Sequence, residues 1–269
     1  MQRNYVLITL IILVIVIMVI TIIANHHTII SIPVNIWQDK LDQSISIKDI
    51  YIPGSHDSLA YNIALSYIRQ TQYLSMKQQL NAGVRFFDVR LFDTTLACTH
   101  VMSSCRDKWF RTIYYKDVLR SASEFVKNTN EFVILYVSQE VMKTSQELFT
   151  KVVKQENKKF NCYDLDINMN VADARGKVLV LIRNEQELSR QDKFKSINLL
   201  NKCKCFEMAS KDNRVVLNAS NVWIWPELNS FVVNRCITKT IKNSTVPQWY
   251  MLDYITPKIT QLIIDKNFE

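Results

Sequence analysis

The chain has 269 residues, 48% of them hydrophobic, so one sizeable folded domain is within reach and a disordered chain is excluded. Its formal net charge is +8, but it has no long Lys/Arg run and no zinc-finger spacing. A nucleic-acid partner is therefore not expected, and an anionic membrane is the better match for the basic charge.

In chain order, the first feature is residues 5–24, YVLITLIILVIVIMVITIIA, which carry no charge. Twenty residues of helix reach about 30 Å, one bilayer core. The stretch reads as a signal anchor over residues 1–25; a signal peptide cut after Ala24 is the alternative. Arg3 precedes the span and the first Lys after it is Lys40. The positive-inside rule then leaves the N-terminus in the cytosol, with the remainder luminal or extracellular and held by a single pass. Six cysteines and the sequons at Asn218 and Asn243 fit an exported, disulfide-bearing glycoprotein. Residues 26–45 read as a juxtamembrane segment, and residues 46–269 as the folded domain.

Within that domain, strand-like runs occur at 48–52, 84–91, 95–100, 131–138, 177–182, 214–220 and 249–255, rich in Val, Ile, Tyr and Phe. Helical spacing appears at 117–128, through Val118, Leu119, Ala122 and Phe125, and at 145–158. A third helix follows a Thr cap and Pro257. Strands alternating with helices predict an α/β fold of parallel strands, a distorted TIM-type (β/α) barrel. Chemistry in such a fold collects at the C-terminal strand ends. The polar residues there are His56 and Asp57, then Asp88 and Arg90, then His100, Arg183 and Asp253. Two histidines, several carboxylates and guanidinium groups form a set able to supply a base, an acid and a cation for a phosphodiester. The chain holds only three glycines, Gly54, Gly83 and Gly176, which are expected where the backbone requires them.

IPGSHDS (52–58) followed by AGVRFFDVRL (82–91) resembles the X-domain of phosphatidylinositol-specific phospholipases C, in particular the small bacterial-type and X-domain-only branch. The resemblance runs from about Ile50 to the C-terminus. It implies that His56 and His100 are the catalytic histidines, with Asp57 beside the first. It also implies that Arg90, in Asp88-Val-Arg90, neutralises the phosphate in a metal-independent reaction without cofactor. Asp253 in YMLDYITPKI is implied as the partner of His56. Asp88, Arg183 in ARGKVLVLIRN and Asp192 in RQDKFK are implied as substrate-binding residues. The expected substrate is an inositol phospholipid or a glycosylphosphatidylinositol in a membrane, cleaved through a cyclic inositol phosphate. Two departures stand out: Val101 replaces the glycine that usually follows the second histidine, and VSQE (137–140) stands where the family's lysine is expected. The alternative function is an inositol-lipid- or partner-binding X-domain without turnover. A metal-dependent glycerophosphodiesterase fits less well, because no Glu-x-Asp set accompanies either histidine. Trp109, Phe110, Tyr114 and Tyr115 read either as an aromatic rim touching lipid or as core.

Overall fold

The computed structural model describes Val14 and residues 32–183, 215–218 and 226–269. Apart from Val14, the apolar stretch 5–24 lies outside the described residues, as does Asp192. Among the described residues no helix is long and apolar enough to cross a membrane. One compact unit runs from Pro33 to Glu269.

Its strands are β1 (Ile52–Ser55), β2 (Phe86–Phe92), β3 (Ala97–His100), β4 (Ser103–Ser104), β5 (Val133–Gln139), β6 (Tyr163–Asp164), β7 (Val178–Ile182), β8 (Val215–Asn218) and β9 (Trp249–Leu252). The parallel sheet runs β6-β7-β5-β2-β1-β9-β8, and β3 and β4 form an antiparallel hairpin on β2. Among the described residues nothing pairs β6 with β8, so the expected ring is open there. The crossovers carry α1 (Ser66–Arg69), α2 (Met76–Ala82), α3 (Tyr115–Thr129), α4 (Gln146–Lys159), α5 (Val171–Ala174) and α6 (Pro226–Asn243); α7 (Pro257–Asp265) follows β9. On α3, the stripe Val118, Leu119, Ala122 and Phe125 is buried, as its spacing predicts. Thr256 caps α7 through Ile259 N, with Pro257 in the first turn.

The first strand corrects the sequence reading. Residues 47–49 form a 3₁₀ turn, and the strand is Ile-Pro-Gly-Ser, which resembles a loop. Gly54 is needed there because it lies between two backbones: a Cβ would come 2.5 Å from Tyr250 O and 2.8 Å from Phe86 O. Gly83 ends α2 in the left-handed region, at φ 105°.

The folded unit also begins earlier than residue 46. Trp37 and Gln38 are buried, and both backbone N–H groups donate to Glu131 Oε1, at 2.5 and 2.6 Å. Glu131 is the partner of the fully buried Arg85, whose Nε donates to Oε2 at 2.6 Å. Part of the stretch read as juxtamembrane is thus built into the base of the sheet, beneath the N-terminal ends of β2 and β5. Of the six cysteines, Cys98, Cys105 and Cys162 are free thiols and Cys236 is disulfide-bonded; Cys203 and Cys205 lie outside the described residues. Asn243 is exposed at the end of α6.

Candidate active site

Sheet register assembles the site. Ser55 of β1 is level with Leu252 of β9 and with Phe87 of β2. One residue further along, this alignment brings His56 beside Asp253 on one side and Asp88 on the other, and His56 N bonds Leu252 O at 3.0 Å. Alternation along β2 puts Asp88 and Arg90 on one face. The hairpin from β2 into β3 returns His100 to the same mouth.

His56 Nδ1 lies 2.7 Å from Asp253 Oδ1, and both side chains are buried. On the other ring edge, Arg90 Nη2 is 2.5 Å from His56 Nε2. A guanidinium only donates, so Nε2 carries the lone pair and Nδ1 the proton given to Asp253. Burial opposes charging this imidazole, but Asp57 and Asp253 outweigh it and push its proton affinity up to about 9. The contact to Arg90 therefore suits the neutral ring, present above about pH 9, and below that Asp57 and Asp253 favour a proton on Nε2.

Asp57 sits between the two histidines, in the left-handed region at φ 43°. Its Oδ2 is 3.1 Å from His100 Nδ1 and 3.4 Å from His56 Nε2, and its Oδ1 contacts Arg90 Nε. Burial favours the neutral acid, but Arg90, then His100 and His56, hold Asp57 well below the ordinary carboxylate range. His100 is raised: burial acts against its charge, and Asp57 overcomes it. Asp88, expected to bind substrate, is buried; its Oδ2 accepts from Asp57 N and from Arg90 Nε, both at 3.1 Å. It holds the guanidinium in place.

Arg183 follows β7; its N–H bonds Val137 O, and its side chain is exposed, with no described contact to the histidine cluster. Glu140, one residue past β5, is the site residue that the sequence reading missed. Its Oε1 accepts from Val101 N at 2.9 Å and lies 3.7 Å from His100 Nδ1 and 3.9 Å from Arg90 Nη1. Its place at a C-terminal strand end was the available signal. Val101 and Met102 form the two-residue turn between β3 and β4, with φ 48° and 61°. The left-handed turn that glycine favours persists here with a β-branched residue in it.

His56, Asp57 and Asp88 place ligand atoms within 4.8 Å of one another, a spacing that a divalent cation can use. Arg90 stands among them, and the oxygens that an ion needs are directed at its guanidinium. The residues present do not fit a resident metal.

Among known proteins, the PI-PLC X family model matches residues 45–185, more than half of the chain. The chain belongs to the PI-PLC X family. Two curated relatives are named 1-phosphatidylinositol phosphodiesterase. The one from Listeria monocytogenes is 26% identical over 168 residues, 57% of this chain and 50% of its own. The one from Staphylococcus aureus strain Newman is 26% identical over 161 residues, 55% of this chain and 50% of its own. The chain thus spans about half the length of the curated relatives it matches. The solved phosphatidylinositol-specific phospholipase C of L. monocytogenes superposes with a TM-score of 0.70 at 22% identity, covering 86% of this chain and 97% of that one. The F249X mutant of the S. aureus enzyme gives 0.63 at 19%, covering 86% and 97%. These likenesses show the fold: a PI-PLC X domain built on the same α/β, TIM-type architecture.

Proposed function

We propose that this PI-PLC X domain cleaves the glycerol–phosphate bond of an inositol phospholipid by acid–base catalysis without metal. The observation that carries the reading is the pairing of each histidine with its own carboxylate, His56 with Asp253 and His100 with Asp57, around the single guanidinium of Arg90. The substrate phosphate draws Arg90 Nη2 away from His56, which frees the Nε2 lone pair at the moment it is needed. His56 then takes the proton of the inositol 2-hydroxyl, and that oxygen attacks phosphorus. Arg90 neutralises the phosphoryl oxygens, and its planar fork suits two of them. His100, held by Asp57, protonates the departing diacylglycerol oxygen. A cyclic inositol phosphate is released, and water opens it with the histidines exchanging roles. Each acid–base group is expected to contribute about 10²–10⁴-fold.

The mouth supports a lipid substrate. Leu65, Tyr67, Met102, Trp109, Phe110 and Met142 are exposed and lie in the segments after β1, in and after the β3–β4 hairpin, and after β5. Their loops are tied together: Arg106 N bonds Asn62 O, Asn62 Nδ2 bonds Asp107 O, and Arg69 contacts Ser103. Lys108 lies 5.3 Å over the Trp109 ring, placing a cation at the same rim. Aromatic side chains beside cations suit the headgroup layer of an anionic bilayer. Tyr115 is not part of the rim; it is buried and its hydroxyl bonds Asn157. In this reading residues 5–24 anchor the chain in the membrane, with the PI-PLC X domain on the luminal or extracellular side. The uncharged run and the positions of Arg3 and Lys40 support that orientation.

The test is release of cyclic inositol phosphate from phosphatidylinositol vesicles by the full-length protein. His56→Ala and His100→Ala should each abolish it. The double variant should lose little more, because one catalytic unit is already broken. Near-normal turnover by His56→Ala would overturn the reading.

A further inference from the structure

Glu140 lies within the site without a role in the chemistry above. Its Oε1 is occupied by Val101 N, whereas Oε2 is buried and has no hydrogen-bond partner among the described residues. The nearby positive charge is already engaged. Arg90 Nε donates to Asp88 and pairs with Asp57, Nη2 faces His56 Nε2, and the remaining edge, Nη1, lies 3.9 Å from Glu140. His100 Nδ1 is nearer to Asp57, at 3.1 Å, than to Glu140, at 3.7 Å.

The charged and titratable groups that face Glu140 are Arg90 from β2, His100 from β3, Asp57 after β1 and the Cys105 thiol. Burial first, and Asp57 next, raise Glu140 above the ordinary carboxylate range, against the pull of Arg90. An ionised carboxylate here would have only the long contacts to His100 and Arg90 on Oε1, would leave Oε2 buried without a donor, and would repel the phosphate anion that must enter beside Arg90. With a proton on Oε2 it becomes a hydrogen-bond donor.

We propose that Glu140 takes part as a carboxylic acid: Oε1 accepts from Val101 N, and the proton on Oε2 is donated to a non-bridging oxygen of the substrate phosphodiester. Glu140 is then a second phosphate-binding group beside Arg90, within the stretch 137–140 where the resemblance leads one to expect a lysine. A neutral acid replaces the point charge, which avoids adding another cation to a cluster already balanced around Arg90. No bond to Glu140 is made or broken; the proton stays on the carboxyl throughout. This rests on the phosphodiesterase reading.

Two measurements on the full-length protein test it. The first is the infrared difference between the wild type and Glu140→Gln at neutral pH, without substrate. A protonated-carboxyl carbonyl band belonging to the wild type is expected, and its absence overturns the proposal whatever the turnover. The second is turnover of phosphatidylinositol vesicles across pH. Glu140→Gln, whose amide N–H replaces the acid O–H, should lose less than about tenfold and retain its activity further into alkaline pH. Glu140→Ala should lose about 100-fold. Adding Val101→Gly separates donation from mere support of the turn, since glycine needs no anchor at φ 48°. If Val101→Gly restores Glu140→Ala, Glu140 only holds the turn and the proposal fails. It fails also if Glu140→Gln falls as far as Glu140→Ala at every pH. Inactivity of the wild type removes the phosphodiesterase reading and the proposal together, whereas a missing band in an active enzyme removes the proposal alone.

Discussion

Asp253→Asn removes the carboxylate 2.7 Å from His56 Nδ1 while keeping its shape. Raising His56 from its usual 6.5 to about 9 corresponds to about 3 kcal/mol in favour of the charged ring. Asp57 and Asp253 share that preference, so about 1–2 kcal/mol leaves with Asp253. The acidic limb of the rate profile, set by deprotonation of the base, should move about one pH unit lower. The rate on its plateau should fall about 10²–10⁴-fold, because an amide can turn its N–H toward Nδ1 and fix the wrong tautomer. Stability follows the same sign. A folded-state affinity above the unfolded one stabilises fully below pH 6.5, and that contribution is lost as pH rises through about 9. The melting deficit of Asp253→Asn should therefore be largest in mild acid and shrink above pH 9. Cyclic inositol phosphate release from pH 5 to 10, with a thermal melt at each pH, measures both. A rate within threefold of wild type, or an acidic limb that stays in place, refutes the assignment of Asp253 as the orienting partner.

Arg90→Lys should lose about 10²–10³-fold in turnover, because an ammonium cannot reach Asp57, Asp88 and a phosphate together; vesicle assays of the variant measure the loss. Wild-type activity should survive a chelator, and loss in chelator with recovery in calcium would contradict the role given to Arg90. Val101→Gly should stabilise the fold by about 1 kcal/mol by relieving a β-branched residue at φ 48°, read as a higher melting temperature. Trp109→Ser with Phe110→Ser should weaken sedimentation with anionic vesicles and vesicle turnover, while hydrolysis of a water-soluble inositol phosphodiester changes less than about threefold; both rings are more than 60% exposed.

Much of the site was legible because its determinants are local. A histidine and an acid next to each other after a Gly-Ser, an Asp and an Arg two apart on a strand, and an Asp closing an apolar run all keep their meaning in a linear string. So do helix stripes and caps: the 117–128 and 145–158 patterns and the Thr256-Pro257 start appear within two residues of their expected ends. Where the strand ladders lie was less legible. Pro53 and Gly54 signal a turn, yet they form an interior strand, because β2 and β9 leave room there for no other side chain than glycine.

What the sequence determined alone was the inventory of reactive groups and the order in which the elements follow. Tertiary structure decided which of those groups meet. Register, not spacing, brings Asp253 to His56 across 197 residues, and parallel pairing of β2 with β5 carries Glu140 into the cluster. Burial set Asp88 against Arg90 as its support. It also divided one aromatic run into the exposed Trp109, Phe110 and Tyr114 and the core Tyr115, and drew Trp37 under the sheet. These outcomes depend on which backbones become neighbours and how much water they exclude. A charge is stabilised or silenced by everything packed around it, and only a few of those groups are its neighbours in sequence.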